Sequence, residues 1–191
     1  MEQRYNNHMD LQQIYDYCEL HGETVTYNPG ERLEEEGKTA QWFAFVKKGH
    51  FKYIAHDLND NSEHIAWFSL EDEIVASYPN LLYGRPSYFT IEAITPSTVL
   101  RVSSERINDF FNQSVETMSL RIHLSEHLLT QFQNRYMDFY RATPPERYKL
   151  LLERCPGIVN ELSLQDIASY LNVTPSYLSI IRKNITFEEK K

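Results

Sequence analysis

Apolar residues from Glu23 to Ser103 come in short runs broken by turn formers, which predicts strands joined by tight turns. Thr24 to Tyr27 precedes the turn signal Asn28-Pro29-Gly30. Trp42 to Val46 is an uninterrupted apolar run that Lys47-Lys48-Gly49 turns into Phe51 to Ala55. Asp57 to Asn61 leads into a strand over Glu63 to Phe68, and Thr95-Pro96-Ser97 joins Phe89 to Ile94 with Thr98 to Val102. Several short strands at this spacing predict a barrel or sandwich. Glu34-Glu35-Glu36 beside Gly37 reads as a solvated turn.

The period lengthens after Val102. Ser103 or Ser104 can cap a helix that carries Ile107, Phe110 and Phe111 at helical spacing. Val115, Met118, Ile122, Ser125, Leu129, Phe132, Tyr136 and Phe139 then advance by alternating steps of three and four, an a/d seam interrupted only by Ser125. A helix of about 28 residues is about 40 Å long. That is too long for the preceding unit to cover, so the seam is expected to pair with the same helix of a second chain. Packing on the chain's own strands is the other reading, and both can hold for different turns.

Thr143-Pro144-Pro145 ends the long helix and opens a short amphipathic one through Arg154. From Leu164 onward, Ile167, Ala168, Leu171, Val173, Leu178 and Ile181 stand where a helix-turn-helix buries its side chains. Ala168 is small enough for two helices to cross, and Asn172 tolerates the left-handed turn. Thr174 is placed to cap the second helix, and Pro175 fits its first turn. Thr174, Ser176, Tyr177, Ser179, Ile180, Arg182 and Lys183 are the candidate DNA contacts, the two cations for phosphates and the hydroxyls for backbone or base edges.

Composition bounds this picture without redrawing it. With 41% hydrophobic and 24% charged residues the chain is expected to fold into packed domains. The net charge of -8 divides into -9 over residues 1–141 and +1 over residues 142–191, so the acidity lies away from the proposed reading head. Cys18 and Cys155 stand alone and read as buried thiols. No apolar run spans a bilayer and the N-terminus lacks a signal-peptide pattern, which gives a cytoplasmic expectation. No nucleophile with an orienting base, P-loop or metal motif occurs, so neither enzymatic activity, catalytic residues nor a metal site is expected. His123 and His127 share a helical face but lack a third ligand, and read as solvated.

Pro29-Gly30-Glu31-Arg32-Leu33 with Glu36-Gly37, the strand-turn-strand from Trp42 to Ile54 around Gly49, and Leu164 to Lys183 together resemble the CRP/FNR family of bacterial transcription regulators. The resemblance implies an α+β chain in three parts. Residues 1–114 would form a cyclic-nucleotide-binding-like β-barrel (jelly roll), 115–142 a dimerisation helix, and 143–191 a winged helix-turn-helix domain. It also implies a homodimer through Val115, Met118, Ile122, Leu129, Phe132, Tyr136 and Phe139, a palindromic site on double-stranded DNA, and RNA polymerase as a further partner.

The effector site departs from the pattern that the resemblance implies. A cAMP-binding member presents Gly-Glu to the ribose and Arg-Ser or Arg-Thr to the phosphate, whereas this chain has Val75-Ala76 and Ser87-Tyr88, with Arg85 two residues displaced. An unmatched phosphate is costly to bury, so a response to cAMP is not expected. Trp67, Phe68, Tyr78, Tyr83, Tyr88 and Phe89 are candidates to line an apolar cavity or to fill it as core. Iron–sulfur sensing lacks its cysteine cluster and no histidine stands in a haem-ligand setting, so no cofactor is expected and the residues name no effector. Ser176 and Ile180 replace the Glu and Arg that related regulators often carry for reading bases. The expected function is a sequence-specific DNA-binding transcription regulator. The alternative is a ligand-sensing or protein-interaction module on the same barrel that does not bind DNA.

Overall fold

A computed structural model describes residues 11–188, with side chains through Ile185, so the reading of the N-terminus for a leader falls partly outside the described residues. The chain divides into two compact units, Met1–Gln131 and Phe132–Lys191. The first opens with helix α1 (Gln12–His21) and continues through strands β1 (Glu23–Tyr27), β2 (Arg32–Glu34), β3 (Trp42–Lys48), β4 (Phe51–His56), β5 (Glu63–Ser69) and β6 (Ile74–Ala76). A 3-10 turn (Asn80–Tyr83), β7 (Thr90–Ala93), β8 (Ser97–Ser103) and helix α2 (Ser104–Phe111) follow, and helix α3 (Val115–Arg141) runs on into the second unit.

The strands form two antiparallel four-stranded sheets in the orders β1-β8-β3-β6 and β2-β7-β4-β5. No pairing joins one sheet to the other among the described strands, so the jelly roll is an open sandwich, a correction to the barrel expected from the sequence. Tyr27, Ala44, Val46, Val75 and Val99 of the first sheet meet Leu33, Phe51, Tyr53, Ile91 and Ala93 of the second in one core. The other face of β3 sends Phe43 and Phe45 into a second core with Ile14 and Cys18 of α1, Ile107, Phe110 and Phe111 of α2, and Leu124 of α3. Being covered on both faces is why β3 reads as a continuous apolar run. Burial pushes the Cys18 thiol up to about 12, so it stays protonated.

Helix α1 and the three-residue strands β2 and β6 lie outside the predicted elements. Only Ile14 and Cys18, one turn apart, are buried on α1, too sparse a stripe to stand out by period. The β3–β4 turn needs Gly49 at φ +86°, where an added Cβ would collide with Ser97 Oγ. The glutamate run is not a solvated turn throughout: Glu34 is 5% exposed. Its Oε1 accepts the backbone N–H groups of Gln41 and Trp42, each at 2.7 Å. Burial raises its carboxyl above the usual range, against the pull of those donors and Arg101. The Glu36 carboxylate instead meets His56 Nδ1 at 2.6 Å.

The second unit adds helices α4 (Pro144–Arg154), α5 (Leu164–Leu171) and α6 (Pro175–Glu188), with a 3-10 turn over Ile158–Asn160. Thr143 opens α4 through its N–H and hydroxyl, both donating to Glu146 Oε2 at 2.7 Å. No strand occurs among the described residues of this unit, so the helix-turn-helix has no wing there. No described helix is long and apolar enough to cross a membrane.

Candidate nucleic-acid interface and effector site

The turn between α5 and α6 is built as its residues require. Ser163 caps α5 by accepting the Asp166 N–H at 3.0 Å. Asn172 ends the helix at φ 54°, ψ 52°, the left-handed conformation that Asn adopts more readily than most residues. Thr174 Oγ1 accepts the Tyr177 N–H at 3.2 Å, opening α6. Ile167, Ala168 and Leu171 of α5 and Leu178, Ile181 and Ile185 of α6 are buried.

That buried stripe fixes which way the rest of α6 points. At about 100° per residue, Ser176, Ile180 and Lys183 fall opposite Leu178, Ile181 and Ile185. All three are exposed, as are Thr174, Tyr177 and Ser179. Arg182 departs from the expectation: it falls beside the buried stripe, half-buried, with its guanidinium 5.8 Å from the Tyr148 ring centroid.

Two further arginines act inside the unit, and sequence reasoning does not find either. Arg135 donates to the Tyr170 carbonyl at 2.7 Å and lies 3.4 Å over the Tyr170 ring, while Arg147 donates to the Leu171 carbonyl at 3.0 Å. Both guanidiniums thus sit at the C-terminus of α5, where unpaired carbonyls and the helix dipole favour a cation. Arg147 also donates to the Ala142 carbonyl at 2.9 Å. A partner 24 or 35 residues away in sequence leaves no local pattern.

On α3, Val115, Met118, Ile122, Leu129, Phe132 and Tyr136 of the seam are exposed, together with Tyr140. Phe139 is not: it is half-buried between the guanidiniums of Arg135 and Arg147, at 5.0 and 5.1 Å. Ser125 breaks the seam because it faces its own unit, 2.7 Å from the Tyr78 hydroxyl. Leu120, Leu124 and Leu128 pack there as well, so the helix covers its own unit on one face and leaves the apolar seam exposed on another.

The five effector candidates do not converge. Val75 is fully buried between the sheets, and Ala76 faces the helix-side core. Ser87 is buried and donates to the Phe89 carbonyl at 2.6 Å. Arg85 points outward, 5.1 Å from the Tyr83 ring centroid, and Tyr88 is exposed. Among the aromatic candidates Phe68 is core, Trp67 and Phe89 pack against the core, and Tyr78 is half-buried.

A residue not singled out by sequence occupies the centre of this region. The buried Tyr53 hydroxyl accepts the Ala76 N–H at 3.2 Å and lies 3.0 Å from Ser69 Oγ, which donates to the Ile74 carbonyl at 2.7 Å. The Tyr53 ring meets Phe89 edge-on at 5.8 Å. The backbone of β6 is therefore satisfied from within the fold.

Residues 24–114 match the family model for the cyclic nucleotide-binding domain. No curated protein matches the chain. FixK2 from Bradyrhizobium japonicum superposes with a TM-score of 0.74 at 19% identity, over 88% of this chain and 86% of that one. A protein from Eubacterium rectale assigned to the CRP/FNR family of transcriptional regulators gives 0.70 at 11% identity, over 94% and 88%. The c-di-GMP responsive global regulator CLP from Xanthomonas campestris gives 0.65 at 17% identity, over 94% and 93%. Residues 24–114 thus have the cyclic-nucleotide-binding jelly-roll fold, and most of the chain is similar in fold to these solved structures.

Proposed function

We propose that this chain is a sequence-specific DNA-binding transcription regulator of the CRP/FNR type that works as a homodimer on palindromic duplex DNA and does not respond to cAMP. The observation that carries the reading is the α5–α6 pair, whose exposed face presents Thr174, Ser176, Tyr177, Ser179, Ile180 and Lys183 beyond a buried, correctly capped turn. In a helix-turn-helix the second helix enters the major groove, and a dimer sets two such helices one turn of DNA apart. The exposed apolar seam of α3 supports the dimer, since a chain leaves such a row uncovered only at a cost. Against cAMP stand the missing carboxylate at Ala76, the outward Arg85 and the Tyr53 hydroxyl on the β6 backbone.

The test is retention of the DNA upstream of its own coding sequence by the purified chain across a salt series. A salt-dependent complex is expected, with Lys183→Ala reducing the slope of log affinity against log salt by about 0.9 for each phosphate that the lysine neutralises. No salt-dependent retention would sink the reading. A thermal shift against cAMP is expected to be null, and a large one would overturn the effector part alone.

A further inference from the structure

Specific reading of G·C pairs in the major groove most often uses an arginine fork on guanine. Helix α6 has one arginine, Arg182, and it lies half-buried against Tyr148, turned away from the outer face. Ser179 spends its proton on its own helix, donating to the Pro175 carbonyl at 3.1 Å. What the outer face offers instead is apolar. Ile180 is 54% exposed and Tyr177, one turn before it, is 43% exposed, so the two form neighbouring parts of one surface. Ile180 lies nearly opposite the buried Leu178, Ile181 and Ile185, flanked by Ser176 and Lys183.

A single exposed apolar side chain means little by itself. Here the surrounding charge says what it faces. From Val173 to Phe187 the sequence contains no Asp or Glu, in a chain that carries 27 of them and a net charge of -8. An acid-free segment with Lys183 on its outer face suits a polyanion, and the apolar group in the major groove of DNA is the C5-methyl of thymine.

We infer that Ile180, with Tyr177 beside it, reads thymine methyl groups in the major groove, making Ile180 a specificity-determining residue. The inference rests on the DNA-binding function proposed above. It commits this chain to A·T pairs at fixed places in each half-site, read by apolar contact and not by an arginine fork.

The experiment starts from the full chain and a random-sequence duplex library, from which bound duplexes are recovered through several rounds. The best duplex is then remade with deoxyuridine replacing thymidine one position at a time, which removes the methyl and leaves the pairing edge unchanged. At one or two positions per half-site, affinity is expected to fall about threefold to fivefold per methyl, the value of one buried methyl group. In Ile180→Ala, thymine and uracil duplexes are expected to bind alike at those positions. Ile180 is exposed, so this variant leaves the packing of α6 unchanged, which circular dichroism checks. If uracil is tolerated everywhere on a duplex that the chain still selects, the methyl reading fails and the DNA-binding function stands. If Ile180→Ala keeps the preference for thymine, the assignment to Ile180 fails. If no duplex is enriched, both readings fail together.

Discussion

The two compact units treat their polar groups in opposite ways. In the sandwich, polar side chains turn inward and satisfy the fold: Tyr53 takes the β6 backbone, Glu34 takes two N–H groups at the start of β3, and Ser87 bonds to Phe89. In the C-terminal unit Arg135, Arg147 and Arg182 are drawn into the fold, the first two at the end of α5 and the third against Tyr148. Hydroxyls, Ile180 and Lys183 are left outward. A region whose polar groups are mutually satisfied offers little to a ligand, because any new bond must replace one already made. A face of exposed mixed groups on a rigid helix is open to a partner. The sandwich core thus has few polar groups to spare for a ligand, whereas α6 keeps an exposed face of mixed groups.

The largest expected effect breaks the C-terminal unit alone. Leu178→Ala removes a fully buried side chain between α5 and α6 and is expected to cost about 2 to 5 kcal/mol. Hydrogen exchange should rise in α5 and α6 and stay protected in β3, β4 and β8. Equal loss in both regions would dissolve the contrast. Arg147→Ala comes next, at about 2 kcal/mol measured by denaturant unfolding, since it uncaps the Leu171 and Ala142 carbonyls.

Tyr53→Phe sharpens the sandwich side. It leaves the Ala76 N–H without its acceptor and is expected to cost about 1 to 2 kcal/mol, read as a lower thermal midpoint. Glu34→Gln gives the smallest effect, visible as a pH dependence. Glu34 titrates higher when folded, so the folded chain holds a proton that the unfolded chain releases. The stability this contributes is complete below the usual carboxylate range and is lost as pH climbs to the raised value. The substituted amide cannot titrate yet keeps an oxygen for the N–H groups of Gln41 and Trp42. The variant should therefore gain on the parent as pH rises from about 4 toward neutrality, and an unchanged difference across that range refutes the buried-charge account.

Legibility from sequence follows the range of the interaction. The helix-turn-helix is readable because turn, cap and buried stripe all lie within a few residues of one another, as at Asn172, Thr174 and Leu178. The seam of α3 is readable as far as Tyr136. Phe139 leaves it because two arginines from different parts of the unit enclose its ring. Glu34 misleads a local reading since its polar neighbours Glu35 and Glu36 describe a turn, while the two N–H groups that hold it are seven and eight residues ahead. The effector candidates scatter for a similar cause. A strand's alternation tells which residues share a face, and the opposing sheet decides whether that face is site or core.

Periodicity and local chemistry alone therefore settle the types of the longer strands and helices and which face of α6 is buried, because an amphipathic helix carries its own inside and outside. Packing alone decides that the sheets stay open, that Tyr53 takes the backbone of β6, and that Arg182 leaves the outer face of α6 for Tyr148. Those outcomes depend on which groups compete for a buried partner, and the competitors are brought together only when the chain has folded.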